Sequence, residues 1–385
     1  MPTLTKVFVY SHFEHDETAD TAKKTRNAGR EHAGRVFWQS LCSIVVMLGL
    51  ACQACADEPT DSSLKRYRFQ RIRMGVPWEL QFYATDDQWA LDAAERAFAR
   101  VKQLDQSLSD YDPDSEVRRL CRDSRPGAPV VVSQELFDVL QFSLELSRQS
   151  QGAFDVTVGP LTELWRKAWR KRAFPEAKLL QEALGRVGYQ SLRLHEKSRA
   201  VELLLPEMRI DLGAIAKGYA ADVALRELQA AGITRALVDA SGDLVAGDPP
   251  PGRAEWVISI EPLKSRENLS SQDRPIEHLR LKHASVATSG DANRYVEIEG
   301  IRYSHLVDPN TGLGLTVPSS VTVIAPNGMI ADALASAVSV LGPERGFALL
   351  KQHRAQALVM TGSPQGIQTC ETSGYCQYRI QPPAE

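Results

Sequence analysis

A hairpin that runs straight into a long amphipathic helix is the feature that most limits how this chain can fold. The runs RYRFQRIRM and WELQFYA flank Gly75-Val76-Pro77 and read as two paired strands. Leu91, Ala94, Phe98, Val101, Leu104 and Leu108 then recur at helical spacing, which predicts a helix from Asp87 to Ser107. The period changes from two to 3.6 within a few residues, and it changes again, irregularly, along the rest of the chain.

Asp114 or Ser115 is placed to cap a short second helix beyond Pro113. A third helix is predicted from Ser133 to about Ser150, with Gly152 as its stop. GAFDVTVGPLTELW reads as a short extended piece and a helix opened by Pro160, and Pro175 opens another. SLRLHE and AVELLLP pair around a polar turn, and IDLGAIAKGYAAD breaks from a strand into a helix at Gly213. RALVDASGD is a buried strand ending in a turn, and EWVISIEP, EHLRLKH and the hairpin RYVEIEG/IRYSHLVD are expected to continue the sheet. Ser319 to Ala325 is a strand, MIADALASAVSVLG a helix and AQALVMTG a late strand. Mixing without strict alternation predicts an α+β fold, with mixed sheets and packed helices in a single compact unit of one or two lobes.

The first residues stand apart from that core. Met1 to Arg35 is polar and basic, and the apolar run Leu41 to Ala51 is too short to span a bilayer in the usual way. Basic residues, a short apolar run and small residues form an export signal, so residues 1–56 are assigned to export. Ala54-Cys55-Ala56 offers a cleavage site ahead of Asp57, while GLAC, Gly49 to Cys52, offers a lipoprotein box with Cys52 as the acylated residue. Residues 65–362 are assigned to one domain and 363–385 to a C-terminal strand and tail. Beyond the export segment stand Cys121, Cys370 and Cys376, and the last two bracket a turn-like ETSGY that a disulfide would close. No C-x-x-C pair or His/Cys cluster lies beyond the export segment, so zinc and redox-disulfide chemistry have no visible ligands. The net charge of -3, with no basic stripe interleaved with aromatics, gives no support to nucleic-acid binding.

Several stretches can carry chemistry. Asp332 and Ser336 lie four apart on a predicted helix among small alanines, an oxygen pair suited to a hard cation such as Mg²⁺ or to tight helix packing. Asp211 ends a strand where the chain turns into a helix, a junction whose amides favour anions, and Lys217 lies one turn in. Ser-Gly-Asp occurs twice, at Ser241 to Asp243 and Ser289 to Asp291, as plain turns or as loops lining one cleft. Phe154 beside Asp155 either faces a ring system or fills core. RYSHLVDPNTG places His305 three residues before Asp308 and a Pro-Asn-Thr-Gly turn, where the histidine is either structural or a base.

In order, Met74-Gly75, LSDYDPDSEV, GAFDVTVGPL, IDLGAIAKGYAAD, ALVDASGD, ATSGD, YSHLVDPNTG and SVTVIAP…ADALASAVSVLG resemble the ApbE family of exported, often lipid-anchored FAD:protein FMN transferases. The resemblance covers roughly Met74 to Leu350. It implies a Mg²⁺-dependent site, with Mn²⁺ as the alternative, where a Ser or Thr hydroxyl attacks the FMN-side phosphorus of FAD and AMP leaves. By that resemblance Asp332, the Ser336 hydroxyl and the Ala214 carbonyl ligate the metal. Met74, Tyr111, Ala153, Phe154, Asp155, Asp211, Lys217 and Val307 line the FAD site, Asp243 and Asp291 lie near the pyrophosphate, and Asp291 joins His305 in the catalytic pair. His305 is the base for the acceptor hydroxyl, with Asp308 and its turn holding the strand end.

Two positions depart from the family pattern: Ser336 stands where threonine is usual, and Ser241-Gly242-Asp243 replaces Gly-Gly-Asp. The implied partner is a flavin-carrying subunit of a membrane redox complex with a D-G-x-[ST]-G-A-[ST]-type motif, met in the periplasm by a chain anchored through Cys52. Two other functions fit the same residues: a Mg²⁺-dependent FAD pyrophosphatase releasing FMN and AMP, and a non-catalytic exported FAD carrier.

Overall fold

The computed structural model describes residues 63–260, 263, 277–290, 294–363 and 365–380. The expected export signal with Cys52, and Asp291, lie outside the described residues.

Strands β1 (Lys65–Arg73) and β2 (Val76–Ala84) form the expected hairpin, tipped by Met74 and Gly75 at φ 50° and 71°. Helix α1 (Asp87–Leu108) is capped by the Asp86 carboxylate, which accepts the Trp89 amide. Its buried stripe is led by Ala90, Ala93, Ala94 and Ala97, while Leu91 faces outward, because small residues allow the close packing this helix makes. Next come α2 (Glu116–Asp123), capped by Ser115, β3 (Val130–Val131), and α3 (Gln134–Gln149), capped by Ser133. Helix α4 (Gly159–Lys171) opens at Pro160 as expected, and α5 (Ala177–Leu184) follows. Strands β4 (Leu192–His195) and β5 (Ala200–Leu203) join β3 in a small sheet of order β3-β5-β4. After α6 (Ala216–Ala230) come β6 (Ala236–Asp239), β7 (Leu244–Ala246), β8 (Trp256–Ile260), β9 (Glu277–Leu281) and β10 (Ala284–Gly290). The chain continues through β11 (Tyr295–Ile298), β12 (Ile301–Ser304), β13 (Ser319–Ala325) and α7 (Gly328–Gln352), and ends in β14 (Gln356–Ser363) and β15 (Gly366–Glu371). Helix α7 is broken at Gly342 (φ 73°) ahead of Pro343, where the sequence pattern also ends.

The main sheet has eight strands in the order β1-β2-β6-β7-β10-β13-β14-β15, and its neighbours pair antiparallel. Side chains alternate between its faces. Leu80, Phe82, Val238, Val245, Val321 and Val323 pack beneath α1, α6 and α7. Leu237, Leu244, Val286, Ile324 and Leu358 pack on the opposite face against Trp256, Ile258 and Leu279 of the β8–β9 pair. Both faces are covered, which is why all seven residues of β13 are buried. A third cluster joins α4 and α5 to the β11–β12 hairpin through Leu161, Trp165, Val296 and Tyr303.

The α+β expectation holds, with four corrections in detail. The β8–β9 and β11–β12 hairpins stand as separate pairs and do not extend the main sheet, because each packs its apolar side chains on a neighbouring surface. Ile210 to Leu212 is not a strand; a single bridge from Arg209 to Val158 is all that pairs there. The boundary at 362 cuts the β14–β15 hairpin, and the segment beyond it is structural: β15 is the eighth strand and Tyr375 is fully buried. Cys370 and Cys376 are free thiols; the turn between them is held by the Gln356 side chain, which accepts from Thr372 Oγ1 at 2.6 Å and the Gly374 amide at 3.1 Å. Cys121 is also a free thiol, and its sulfur accepts the Ile210 amide at 3.2 Å.

Candidate active site

The site is organised by the crossing of α6 and α7. A side chain on Gly218 would overlap the Gly328 carbonyl and come within 2.8 Å of Asp332 Cβ, and one on Gly328 would come within 2.5 Å of the Gly218 carbonyl oxygen. Two glycines therefore let the helix backbones touch. Asp222 of α6 secures the contact by accepting the Gly328 and Met329 amides at 2.7 and 2.9 Å, a carboxylate at the start of α7. Burial pushes Asp222 up in pKa, and the two amides pull it back.

That contact brings Asp332 of α7 against the first turn of α6. Asp332 Oδ2 accepts the Gly218 amide at 3.1 Å, and Lys217 Nζ lies 4.0 Å away. The Gly218 amide is one of the first-turn donors of α6 that have no partner within the helix, and Asp332 supplies one. Lys217 pairs directly with Asp243, the buried last residue of the β6–β7 turn. Burial pushes the Asp332 carboxyl up to about 7, with the Lys217 ammonium opposing and the Asp243 carboxylate adding to the rise. For Lys217 burial works against the charge, but Asp243 and Asp332 outweigh it and raise the pKa above its ordinary value. One turn further along α7, the Ser336 hydroxyl lies 3.5 Å from that of Ser289 on β10. In the Ser241-Gly242-Asp243 turn, Ser241 takes φ 59° where the family pattern has glycine, and Asp239 accepts the Gly242 amide at 2.8 Å.

On the other side stands His305, just after β12. Its backbone amide and its Nδ1 both meet the Arg294 carbonyl, at 3.0 and 3.3 Å, and Trp169 of α4 lies edge-on at 6.5 Å between ring centroids. Asp308 does what the sequence suggests: its carboxylate accepts the Asn310 amide at 2.9 Å and Thr311 Oγ1 at 3.2 Å, closing the Pro-Asn-Thr-Gly turn. Trp165 Nε1 anchors that turn from beneath by donating to the Gly312 carbonyl at 2.8 Å.

Asp211 and Tyr111 meet on Arg166 of α4, which the sequence did not single out. Arg166 bonds Asp110 at 2.6 Å and Asp211 at 3.0 Å, and its guanidinium stacks on the Tyr111 ring at 4.2 Å. Thr162, one turn earlier on the same face, donates to Asp211 at 2.7 Å. The Thr162/Arg166 spacing is the available sequence signal, masked because Arg166 opens the basic run RKAWRKR. Arg294 influences the charge of both Lys217 and Tyr111 and carries His305 on its carbonyl, so it links the two sides. Met74 at the hairpin tip donates its amide to Asp105, near the end of the helix that leads into the Tyr111 loop.

Ala153, Phe154, Asp155 and Val307 are buried instead of lining an open surface. Phe154 fills core. Both Asp155 oxygens are engaged within the protein, by the Thr157 amide and hydroxyl at 2.8 and 2.7 Å and by the Tyr189 amide at 2.7 Å. These residues shape the loop behind the Pro-Asn-Thr-Gly turn, where Gly152 packs on Asn310.

By the family resemblance the donors for a cation would be oxygens: the Asp332 carboxylate, the Ser336 hydroxyl and the Ala214 carbonyl. Among the described residues no group of three or more His, Cys, Asp or Glu side chains forms a metal cluster. A cation here would therefore keep one carboxylate and take neutral or substrate oxygens for the rest, a set that fits Mg²⁺.

The model of the ApbE family matches residues 74–360. The chain is 31% identical over 333 residues to an FAD:protein FMN transferase of Treponema pallidum, covering 82% of this chain and 89% of the relative. A second relative of the same name, from Klebsiella pneumoniae, is 30% identical across 77% of this chain and 84% of its own length. Among solved structures, the flavin transferase ApbE from Vibrio cholerae superposes with a TM-score of 0.73 at 26% identity, covering 82% of this chain and 99% of that one. The apo flavinyl transferase ApbE of Pseudomonas stutzeri gives 0.71 at 28% identity, covering 82% and 97%. The match spans the hairpin tip at Met74, the α6–α7 crossing and the sheet as far as β14, and by it the chain belongs to the ApbE family.

Proposed function

We propose that this chain is an FAD:protein FMN transferase that moves the FMN part of FAD onto a Ser or Thr hydroxyl of an acceptor protein. The observation that carries the reading is the α6–α7 crossing in a member of this family: one ammonium, two buried carboxylates and a hydroxyl gathered on backbone that glycines bring into contact. In the reaction the acceptor hydroxyl oxygen bonds the FMN-side phosphorus and the bond to the bridging oxygen breaks. FMN stays on the acceptor through a phosphoester and AMP leaves.

Each residue has a task in that step. With Nδ1–H donated to the Arg294 carbonyl, His305 keeps Nε2 as the nitrogen that accepts the hydroxyl proton. Lys217 meets the negative charge of the pyrophosphate, with Asp243 holding it in place. Asp332, Ser336 and the Ala214 carbonyl would hold Mg²⁺, or Mn²⁺ in its place. A cation bound there supplies Lewis-acid neutralisation of phosphate oxygens. Tyr111, exposed and stacked on one face by Arg166, offers its other face to a ring of FAD, and Asp211 shares the same arginine. Asp291 is proposed with them by resemblance alone, since it lies outside the described residues. The same holds for export, for a periplasmic site of action and for a lipid anchor at Cys52.

The acceptor is proposed to be a flavin-carrying subunit of a membrane redox complex with a D-G-x-[ST]-G-A-[ST]-type motif. The test mixes the protein with FAD, Mg²⁺ and an acceptor fragment bearing that motif, beside an Asp332→Ala control. Fluorescent acceptor with a mass gain of FMN less water, absent in the control, is the expected result. AMP and free FMN without labelling would favour the pyrophosphatase, and intact FAD throughout would favour a carrier.

A further inference from the structure

Tyr111 is 76% exposed, yet its ring is not left to rotate in solvent: the Arg166 guanidinium covers one face at 4.2 Å. That guanidinium is itself fixed. It bonds Asp110 at 2.6 Å and Asp211 at 3.0 Å, two carboxylates whose side chains are about nine-tenths buried, and Thr162 donates to the same Asp211 oxygen at 2.7 Å. Arg166 projects from a helix whose opposite face is locked in the third apolar cluster by Leu161 and Trp165. A planar, permanently charged group with several donors can stack on a ring and bridge two carboxylates at once; an ammonium cannot do both. The side chain therefore links a rigid helix to a loop residue that would otherwise be mobile.

We propose that Arg166 is the positioning residue of the flavin-nucleotide site: it holds the Tyr111 ring and the Asp211 carboxylate in their binding orientation before FAD arrives, and so sets affinity for FAD more than the rate of transfer. The inference rests on the proposed function for the identity of the ligand, though not for the arrangement of the free protein. Fixing an aromatic ring before binding removes an ordering cost from association, and the stacked cation adds to the hold. Arg166 does not touch the reacting phosphorus or the acceptor hydroxyl in this scheme, so its loss should appear in binding and leave the transfer step largely intact.

The test compares wild type, Arg166→Ala, Arg166→Lys, Tyr111→Ala and the double variant. FAD dissociation constants come from equilibrium dialysis, and single-turnover transfer rates from saturating FAD. Arg166→Ala should weaken FAD binding about five- to tenfold with a transfer rate within about twofold of wild type, and Arg166→Lys should not restore affinity. Because the two groups act together, the double variant should lose less affinity than the sum of the two single losses, the remainder being the Asp211 share. Additive losses, or unchanged affinity in a folded Arg166→Ala protein, would overturn the proposal. Removing Arg166 leaves Asp110 facing Asp211, so the same measurements are made in Asp110→Asn and Arg166→Ala/Asp110→Asn, where that repulsion is absent. If wild type binds no FAD, the proposed function fails. The positioning claim is then read in the free protein from the ¹⁹F signal of fluorotyrosine at 111, assigned with Tyr111→Phe. Arg166→Ala should shift and narrow that line, and an unchanged line would sink the claim.

Discussion

The two sides of the site are built by opposite means. At the α6–α7 crossing Asp332 and Asp243 are buried; two glycines whose backbones touch set Asp332 against α6, and Lys217 holds Asp243. On the other side, Tyr111 and His305 are more open, placed by an ion-paired arginine, a hairpin end and a hydrogen-bonded turn. Buried charges need fixed partners, because an unpaired carboxylate out of water is costly. A group that must meet an incoming protein hydroxyl needs access. On the proposed function, the site is rigid where phosphate charge would be met and open where the acceptor would enter.

Asp332→Ala is the harshest test of the rigid side. Flavin transfer should fall about a thousandfold, as for loss of a main charge-stabilising group, while thermal stability holds or rises because a carboxyl disfavoured by burial is gone. Transfer within tenfold of wild type would remove the distinction between the two sides.

Gly218→Ala attacks the same side through the backbone. The new methyl meets a carbonyl that cannot swing away, so stability should drop by about 1–3 kcal/mol, with activity falling alongside. Chemical denaturation reads this directly, and an unchanged midpoint would mean the helices can separate at little cost.

On the open side the two effects should part company. His305→Gln is expected to slow transfer about a hundredfold. Its melting curve should stay within about 0.5 kcal/mol of wild type, as for a surface substitution. A large loss of stability with normal transfer would return His305 to a structural role.

Asp110 gives the smallest effect and one that depends on pH. Burial, then the Asp211 carboxylate, push its carboxyl up to about 6 from 3.8, against the pull of Arg166. The folded state therefore binds the proton more tightly than the unfolded state. The corresponding stability is present in full below about pH 3.8 and is lost as pH rises through about 6. Asp110→Asn abolishes that loss, so the stability of the variant relative to wild type should increase from pH 4 to pH 7. A difference that stays flat across this window would place Asp110 in a wetter setting than the structure gives it.

Much of this was legible in the residues because local rules governed it. The caps at Ser115 and Ser133, the start of α4 at Pro160, the break of α7 at Gly342 and the Asp308 turn all follow from side chains bonding their own neighbourhood. Asp332 and Lys217 stood out because they recur in ordered motifs. Arg166 did not: its partners Asp110 and Asp211 are 56 residues before and 45 after it in sequence, and inside RKAWRKR it resembles any solvated helix charge. Asp155 shows the same limit from the other side: a carboxylate beside a phenylalanine does not announce that Thr157 of its own loop and the distant Tyr189 will bond it.

The sequence by itself determined the period of each element, its caps and turns, the α+β class and, through eight ordered motifs, the family. Only the tertiary structure decided that β8–β9 and β11–β12 stand off the main sheet, that β15 completes it, and that Gly218 and Gly328 meet. The physical reason is range. Capping and periodicity act within a turn or two of the chain, whereas the charges of the site interact across 26 residues from Lys217 to Asp243 and 114 from Gly218 to Asp332. Those separations close only when the apolar faces of the sheet and helices have packed.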